Sequence, residues 1–266
     1  MIRLHYFPGN ASLVVHLLLE ELGVEFELER VDRANLAHKS PAYLELNPNG
    51  TIPVLVDGDL VLWETAAICL YLLDAHPDSG LAPPPATPQR AHFTKWLVWL
   101  TNTLQATLLV YFYPERWADD AAAIAQVKAR AEAKVGAMLD LLDAELARGG
   151  PWLGGAEFSA IDLYALVLCR WTRGFARPAR SLPHLAPWLA RVAQRNAPVL
   201  LGGIGIVSTF VALLVVVLLP RSGLTIADAM TWVLAPVLVW VVTALATLLL
   251  PVLLIRKKVE ERRDER

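Results

Sequence analysis

The sequence predicts an α/β domain, then an all-α domain, and finally two transmembrane helices. Strand-like and helix-like segments alternate near the N-terminus, whereas only apolar residues at helical spacing follow a Pro-rich stretch. Beyond residue 198, two stretches contain no charged residue, and each exceeds the roughly 20 apolar residues that a helix needs to cross a bilayer. The predicted segments are an α/β domain over 1–77, a linker over 78–88, a helical domain over 89–198, a transmembrane hairpin over 199–255 and a charged tail over 256–266.

Apolar patterning and turn residues define the elements of the first domain. Gly23 is suited to end the first helix, because glycine adopts the left-handed C-terminal cap without strain. In chain order we predict a strand over 2–6, a helix that follows Ser12 and ends at Gly23, a strand over 24–31, a helical turn over 41–46, a strand after the turn at 47–51, a hairpin turn at 57–59 into a strand over 60–63, and a helix over 64–73. The order βαβ followed by ββα is thioredoxin-like.

The second domain is predicted to be entirely helical. Its predicted helices cover 89–113, 119–148, 159–174 and 187–194. The first is long and apolar enough to raise the question of a membrane span. Lys95, Asn102 and Gln105 interrupt it, which favours a buried core helix. Ser159 and Asp162, three residues apart at the start of the third helix, are predicted to form an Asp variant of the capping box with a role in folding.

The composition of the chain argues against two kinds of ligand, nucleic acid and metal ions. Of the 24 Lys and Arg and 26 Asp and Glu residues, seven and five lie beyond residue 198, which leaves 17 basic and 21 acidic side chains before it. This acidic balance argues against nucleic acid as a partner. Cys69 and Cys169 both fall in apolar helical patterns, so buried packing is expected for them. The six histidines show no metal-ligand spacing, and no metal site is predicted.

Five motifs, in order, resemble the glutathione transferase family in a bacterial form. They are YFPGNASLVVHLLLEELG, NPNGTIPVL, LWETAAICLYL, SAID and LPHLAPWLARV, and together they extend over about residues 1–195. The resemblance implies the glutathione transferase fold, in which the thioredoxin-like domain binds glutathione and the helical domain forms the pocket for an electrophile. It implies glutathione as a substrate and no metal.

The resemblance assigns residues to glutathione. It implies that Pro53 follows Ile52 in cis, which would turn the Ile52 backbone toward an extended peptide. Glu64 and Thr65 would hold the γ-glutamyl end at a helix start, with the acidic side chain on the ammonium group. Lys39 would meet the glycine carboxylate. The alternatives are that Glu64 and Thr65 only cap a helix and that Lys39 is a solvated charge.

The residue that activates the thiol stays open. Many bacterial relatives have a cysteine where this chain has Ala11, so mixed-disulfide chemistry is excluded at that position. Tyr6 matches the tyrosine of one branch of the family, Ser12 matches the hydroxyl of another, and Asn10 offers an amide donor. Ser12 and Asn10 are favoured because both lie where a helix begins. A histidine that some bacterial members use on the long helix corresponds here to Gln105, which is a further candidate for glutathione binding.

Basic residues flank the predicted hairpin and set its orientation. Arg191 and Arg195 precede the first span and the basic run 256–258 follows the second, whereas the connecting loop has Arg221 balanced by Asp228. Both termini are therefore predicted to lie on the cytoplasmic side of the inner membrane. Neither span contains an ionisable residue, which argues against an ion path.

Two functions remain open from the sequence. The first is a membrane-anchored glutathione transferase that conjugates glutathione to apolar electrophiles, some of which could enter from membrane lipid. The second is a non-catalytic accessory subunit with a transferase fold that docks on a larger membrane protein complex. Dimerisation is common in the family, but the sequence does not establish a homodimer.

Overall fold

The computed structural model describes residues 1–196, and the predicted hairpin and tail lie outside the described residues. The strands are β1 (Ile2–Tyr6), β2 (Phe26–Arg30), β3 (Val54–Asp57) and β4 (Leu60–Trp63). The helices are α1 (Ser12–Leu22), α2 (Pro41–Leu46), α3 (Thr65–Ala75), α4 (Pro88–Trp99), α5 (Ala106–Phe112), α6 (Ala121–Gly149), α7 (Ala160–Trp171) and α8 (Leu185–Arg195). The predicted succession of a thioredoxin-like domain and a helical domain is confirmed.

The four strands form one sheet in the order β2-β1-β3-β4. β1 pairs in parallel with β2, as the crossover through α1 requires, and in antiparallel with β3, while β3 and β4 form the predicted hairpin. β2 begins at Phe26, two residues later than predicted. The reason is that Gly23, at φ 66°, ends α1 in the left-handed conformation, and the next two residues connect it to the strand.

The long helix predicted over 89–113 is interrupted in the structure. α4 ends at Trp99, a π-helical segment covers Leu100–Gln105, and α5 continues from Ala106. Periodicity alone did not predict this change, because one π-helical turn barely alters the apolar pattern. Segments of this kind are frequent at functional sites. Within residues 1–196, no helix is both long and apolar enough to cross a membrane.

The capping box at the start of α7 is confirmed, and it extends further than predicted. The backbone N–H of Ser159 donates to Oδ2 of Asp162 at 3.0 Å. Oδ1 of the same carboxylate accepts from the Leu153 backbone N–H and from the Trp188 indole N–H, each at 2.9 Å. Asp162 is fully buried, and this burial raises the pKa of its carboxyl while the hydrogen bonds oppose the shift. One carboxylate therefore joins α7, the preceding loop and α8.

Both cysteines lie in the core, as predicted. Cys69 is on α3 and Cys169 on α7, and neither forms a disulfide. Burial raises the pKa of each thiol to about 12, so both are protonated at neutral pH. Neither can serve as a nucleophile in this state.

Candidate active site

A cleft of about 780 Å³ lies between the sheet domain and the helical domain. The sheet domain contributes the loop after β1, the segment around Lys39, the turn before β3 and the start of α3. The helical domain contributes Gln105, the end of α5 and the end of α7. Of the residues predicted from the sequence, those that line the cleft are Asn10, Lys39, Ile52, Pro53, Glu64, Thr65 and Gln105.

The turn before β3 presents an open backbone edge to the cleft. The Ile52–Pro53 peptide bond is cis, as the resemblance implies. The Thr51 carbonyl accepts hydrogen bonds from the Tyr43 hydroxyl and from the Asn47 side-chain amide, both at 2.9 Å, which fixes this turn. In the part of the chain that the structure describes, the N–H and C=O of Ile52 have no hydrogen-bond partner. This edge can therefore pair with an extended peptide.

Glu64 and Thr65 lie where α3 begins. Glu64 precedes the helix at φ 74°, a conformation that is uncommon for a residue with a side chain, and its carboxylate is exposed in the cleft. Thr65 is buried as the first helical residue. The first N–H groups of α3 have no intrahelical acceptor, and this helix start lines the cleft, which favours a carboxylate there. The acidic side chain beside them favours a cation.

The loop after β1 separates the roles of Asn10 and Ser12. Oδ1 of Asn10 accepts from the Ser12 backbone N–H at 2.8 Å and from the Ser12 hydroxyl at 2.6 Å. The Ser12 hydroxyl also lies 3.2 Å from the carbonyl and from the N–H of Phe7, and Ser12 is only 1% exposed. Within residues 1–196, Nδ2 of Asn10 has no partner. The amide of Asn10 thus keeps two N–H donors in a cleft that the Ser12 hydroxyl does not line.

The other candidates near the thiol are placed differently. Ala11 lines the cleft and is the N-cap residue of α1, so Ser12 begins the helix instead of capping it from outside. Tyr6 lies at the end of β1 and is not among the lining residues of the described chain. The geometry therefore leaves the Asn10 amide as the side-chain donor of the three that lines the cleft.

Lys39 lies at the opposite end of the peptide edge. Its Nζ donates to the Asn49 carbonyl at 3.1 Å. Gly50, at φ 57°, lies so close that a Cβ there would come within 2.7 Å of both Lys39 Nζ and the His38 carbonyl. The positive φ and the His38 carbonyl therefore favour glycine at this position. Burial, followed by the charges of Arg33 and Lys39, lowers the pKa of His38, so its imidazole is neutral at pH 7.

Two side chains of the helical domain connect the cleft to its surroundings. Oε1 of Gln105 accepts a hydrogen bond of 2.6 Å from the hydroxyl of buried Tyr164, which directs the amide at the end of the π-helical segment. The indole N–H of Trp171 donates to the Gly9 carbonyl at 2.9 Å. This bond joins the end of α7 to the loop that carries Asn10.

Sequence reasoning missed most of the lining from the helical domain, and it missed three arginines that line the cleft. The aromatic residues of the lining are Phe7, Tyr111, Phe112, Tyr113, Trp171 and Phe175, and the arginines are Arg33, Arg116 and Arg173. Except for Phe7, each of these lies outside the motifs that predicted the site. The dense aromatic run of residues 111–113 is the available signal in the sequence, but its position in a predicted core helix favours a role in packing. Within residues 1–196, no three His, Cys, Asp or Glu side chains are placed to hold a metal ion.

Fold and cleft together define a class: a thioredoxin-like domain with an open peptide edge, joined to a helical domain that completes an aromatic pocket. The comparisons with known proteins agree with this class. The family model described as "Glutathione S-transferase, N-terminal domain" matches residues 1–74, and that described as "Glutathione S-transferase, C-terminal domain" matches residues 125–195. The chain belongs to the glutathione S-transferase family.

Relatives of known sequence and structure match nearly the whole described region. The chain is 33% identical to glutathione S-transferase GST-4.5 of Xanthomonas campestris over 169 residues. This matched region covers 64% of this chain and 81% of the relative. It is 34% identical to glutathione S-transferase 3 of Zea mays, over 74% of this chain and 90% of the relative. The solved glutathione-S-transferase from Xylella fastidiosa superposes with a TM-score of 0.67 at 30% identity, covering 73% of this chain and 93% of that one. A glutathione transferase homolog from Sulfitobacter, solved with bound glutathione, also gives 0.67, at 27% identity over 73% and 92% of the two chains.

Proposed function

We propose that this protein is a glutathione transferase that conjugates glutathione to apolar electrophiles and is anchored in a membrane by its C-terminal segment. The observation that carries the catalytic part is the arrangement of the cleft. A carboxylate at a helix start, an open backbone edge, an ammonium group and a side-chain amide donor line one cavity. The structural relative from Sulfitobacter binds glutathione, which supports glutathione as the ligand of this cleft.

Each chemical group of glutathione has a complement in the cleft. The γ-glutamyl ammonium group would pair with the Glu64 carboxylate, and its own carboxylate would meet the N–H groups at the start of α3. The cysteinyl backbone would form hydrogen bonds with the free N–H and C=O of Ile52. The glycine carboxylate would lie near Lys39. In this direction the thiol would lie close to Asn10, and Gln105 would offer a further amide from the helical domain.

The reaction would proceed by thiolate attack. A free thiol has a pKa near 8.5, so the site must favour the thiolate for reaction at neutral pH. The Asn10 amide would donate a hydrogen bond to the sulfur, and the thiol proton would leave to solvent. The sulfur then forms a bond with the electrophilic carbon, and the leaving group departs with its electron pair, or the attacked double bond accepts that pair. The aromatic walls of the cleft would hold the apolar part of the electrophile.

Replacement of Glu64 tests the assignment of the γ-glutamyl end. We expect Glu64→Gln to weaken glutathione binding by about tenfold or more, because a hydrogen bond to a charged group contributes about 1.5–3 kcal/mol. The measurement is isothermal titration with glutathione. Glu45→Gln is the matched control, since Glu45 is an exposed glutamate on α2 that does not line the cleft. It should bind glutathione like the unchanged protein.

The outcome also separates the enzyme from a non-catalytic subunit. Binding of glutathione together with turnover of a neutral electrophile such as 1-chloro-2,4-dinitrobenzene, both reduced in Glu64→Gln, supports the transferase. Unchanged affinity in Glu64→Gln would refute the role of this carboxylate. Failure of the unchanged protein to bind glutathione at all would overturn the proposed activity and leave a docking role.

The membrane anchor rests on the sequence of residues 197–266. The two uncharged stretches are long enough to span a bilayer, and small residues in the first would let the second pack closely against it. The basic residues on either side would keep both termini in the cytoplasm, the compartment in which thiols stay reduced. The transferase body would then work next to the lipid surface.

Fractionation tests the anchor directly. The full chain should sediment with membranes after detergent-free lysis, resist extraction by high salt and dissolve in detergent. A chain that ends at Asn196 should remain in the supernatant under the same conditions. If the full chain is also found in the supernatant, the anchor is refuted, whereas the glutathione-binding results stand independently.

A further inference from the structure

Three guanidinium groups line the cleft: Arg33 comes from the sheet domain, and Arg116 and Arg173 come from the helical domain. Arg33 donates from Nη2 to the Tyr113 hydroxyl at 3.3 Å, and its Cζ lies 5.3 Å from the centre of the Phe7 ring. Arg116 stacks on the ring of Tyr113, with its Cζ 4.2 Å from the ring centre. Arg33 and Arg116 thus contact the same tyrosine. Arg173 follows α7 and lines the cleft as well.

None of these arginines has a carboxylate partner in the described chain. Within residues 1–196, no Asp or Glu oxygen lies within 4.0 Å of Arg33, Arg116 or Arg173. The carboxylate next to Arg33 in sequence, Asp32, is turned toward its own loop. It accepts from the Asn35 side chain at 2.6 Å and from two backbone N–H groups. The guanidinium donors therefore remain available to a ligand.

The cleft is positively charged, whereas the first 198 residues as a whole are negatively charged. Among the described residues, its charged lining consists of Arg33, Lys39, Arg116 and Arg173 and one carboxylate, that of Glu64. The first 198 residues as a whole carry more acidic than basic side chains. A cleft whose lining carries charges of one sign raises the local concentration of ligands of the opposite charge, so this cleft favours anions. Glutathione accounts for Lys39 and Glu64, which leaves the arginines beside the aromatic walls without a counter-charge.

We infer that the electrophile of this enzyme carries an anionic group, in particular a carboxylate, on an aromatic or otherwise apolar body. This inference rests on the proposed transferase function and narrows its apolar electrophiles to those whose apolar body carries an anionic group. The apolar body lies among the aromatic side chains, where Tyr111 and Phe175 lie 4.3 Å apart between ring centres. Its carboxylate binds the planar guanidinium groups of Arg33 and Arg116, a geometry that arginine matches with paired N–H donors.

The test compares an anionic electrophile with its neutral ester. 4-Chloro-3,5-dinitrobenzoate and its methyl ester undergo the same reaction: the thiolate sulfur bonds to the carbon that bears chlorine, chloride leaves with the bonding pair, and the thiol proton goes to solvent. For the full chain in detergent, kcat/KM for each is divided by the uncatalysed rate with glutathione. We expect the normalised ratio of acid to ester to fall about tenfold in the double variant Arg33→Gln/Arg116→Gln, because charge-assisted bonds to the carboxylate are lost.

Controls make each outcome decisive. Arg148→Gln, at an exposed arginine that pairs with Glu145 along α6, should leave the ratio unchanged. An unchanged ratio in the double variant, at full activity with the ester, overturns the inference while the transferase function stands. If neither compound is turned over, the proposed function fails. Quenching of tryptophan fluorescence by the unreactive 3,5-dinitrobenzoate then decides the anion site alone: weaker binding in the double variant supports it, and equal binding overturns it.

Discussion

Replacing Asp162 by alanine is expected to lower the free energy of unfolding by about 4 kcal/mol. The carboxylate is fully buried, and it accepts from the N–H groups of Leu153, Ser159 and the Trp188 indole. Alanine would leave these three donors unpaired in the core, at about 1–3 kcal/mol each, although partial relaxation reduces the sum. Urea unfolding of the full chain in detergent, followed by tryptophan fluorescence, measures the loss.

Two further variants separate the buried network from ordinary helix capping. Asp162→Asn keeps one oxygen that can accept from Leu153 and Trp188, but its NH₂ would face the Ser159 N–H, so we expect about half the loss. Asp120→Ala removes an exposed cap whose Oδ1 accepts from the Ala123 N–H at 2.8 Å, and it should cost about 1 kcal/mol. An equal loss for Asp162→Ala and Asp120→Ala would contradict the special role of the buried carboxylate.

The parts of the fold that the sequence predicted well depend on local signals. Gly23 marked the end of α1, and Ser159 with Asp162 marked the start of α7, because caps and turns are properties of a few adjacent residues. The bonds from Asp162 to Trp188 and Leu153 depend on packing between separate elements. Periodicity cannot predict such contacts, just as it did not predict the π-helical segment within the α4–α5 region.

The candidate site divides in the same way. The peptide-binding half came from contiguous motifs, and the structure places Ile52, Pro53, Glu64 and Thr65 in one cleft. The half that we propose binds the electrophile is assembled from residues far apart in sequence. Arg33 meets Tyr113 across 80 positions, and Trp171 meets Gly9 across 162. A single sequence contains no signal for these pairs. An apolar pocket could therefore be predicted from the sequence, but the positive charge of its lining could not.

The same limit applied to the group that activates the thiol. The sequence placed Tyr6, Asn10 and Ser12 close together, and nothing local distinguished a donor that faces the cleft from one that faces the loop. The side-chain bonds make that distinction. The Ser12 hydroxyl is held between Asn10 and Phe7, whereas Nδ2 of Asn10 has no partner in the described residues. The remaining prediction follows from this difference.

Removal of the Asn10 amide is expected to raise the pKa of the bound glutathione thiol by about one unit or more and to lower kcat/KM at pH 6.5 by about tenfold or more. A hydrogen bond to the charged sulfur contributes about 1.5–3 kcal/mol, and one pKa unit corresponds to about 1.4 kcal/mol. Because the lost bond favours the thiolate, the rate of Asn10→Ala should recover as the pH rises, and its pH–rate profile should shift to higher pH. Thiolate absorbance near 240 nm gives the pKa directly.

Asn10 also accepts two bonds within its loop, so the substitution must be separated from a loss of loop structure. Asn10→Asp keeps the Oδ1 acceptor toward Ser12 but replaces the amide donor by a negative charge, and it should raise the thiol pKa further than alanine does. Ser12→Ala removes a hydroxyl that is bonded to Asn10 and Phe7 within the loop and does not line the cleft, so it should lower stability and leave the midpoint of the pH–rate profile in place. Tyr6→Phe should leave that midpoint in place as well. A shifted midpoint in Ser12→Ala or Tyr6→Phe, with none in Asn10→Asp, would assign activation to a hydroxyl and remove Asn10 from the chemistry.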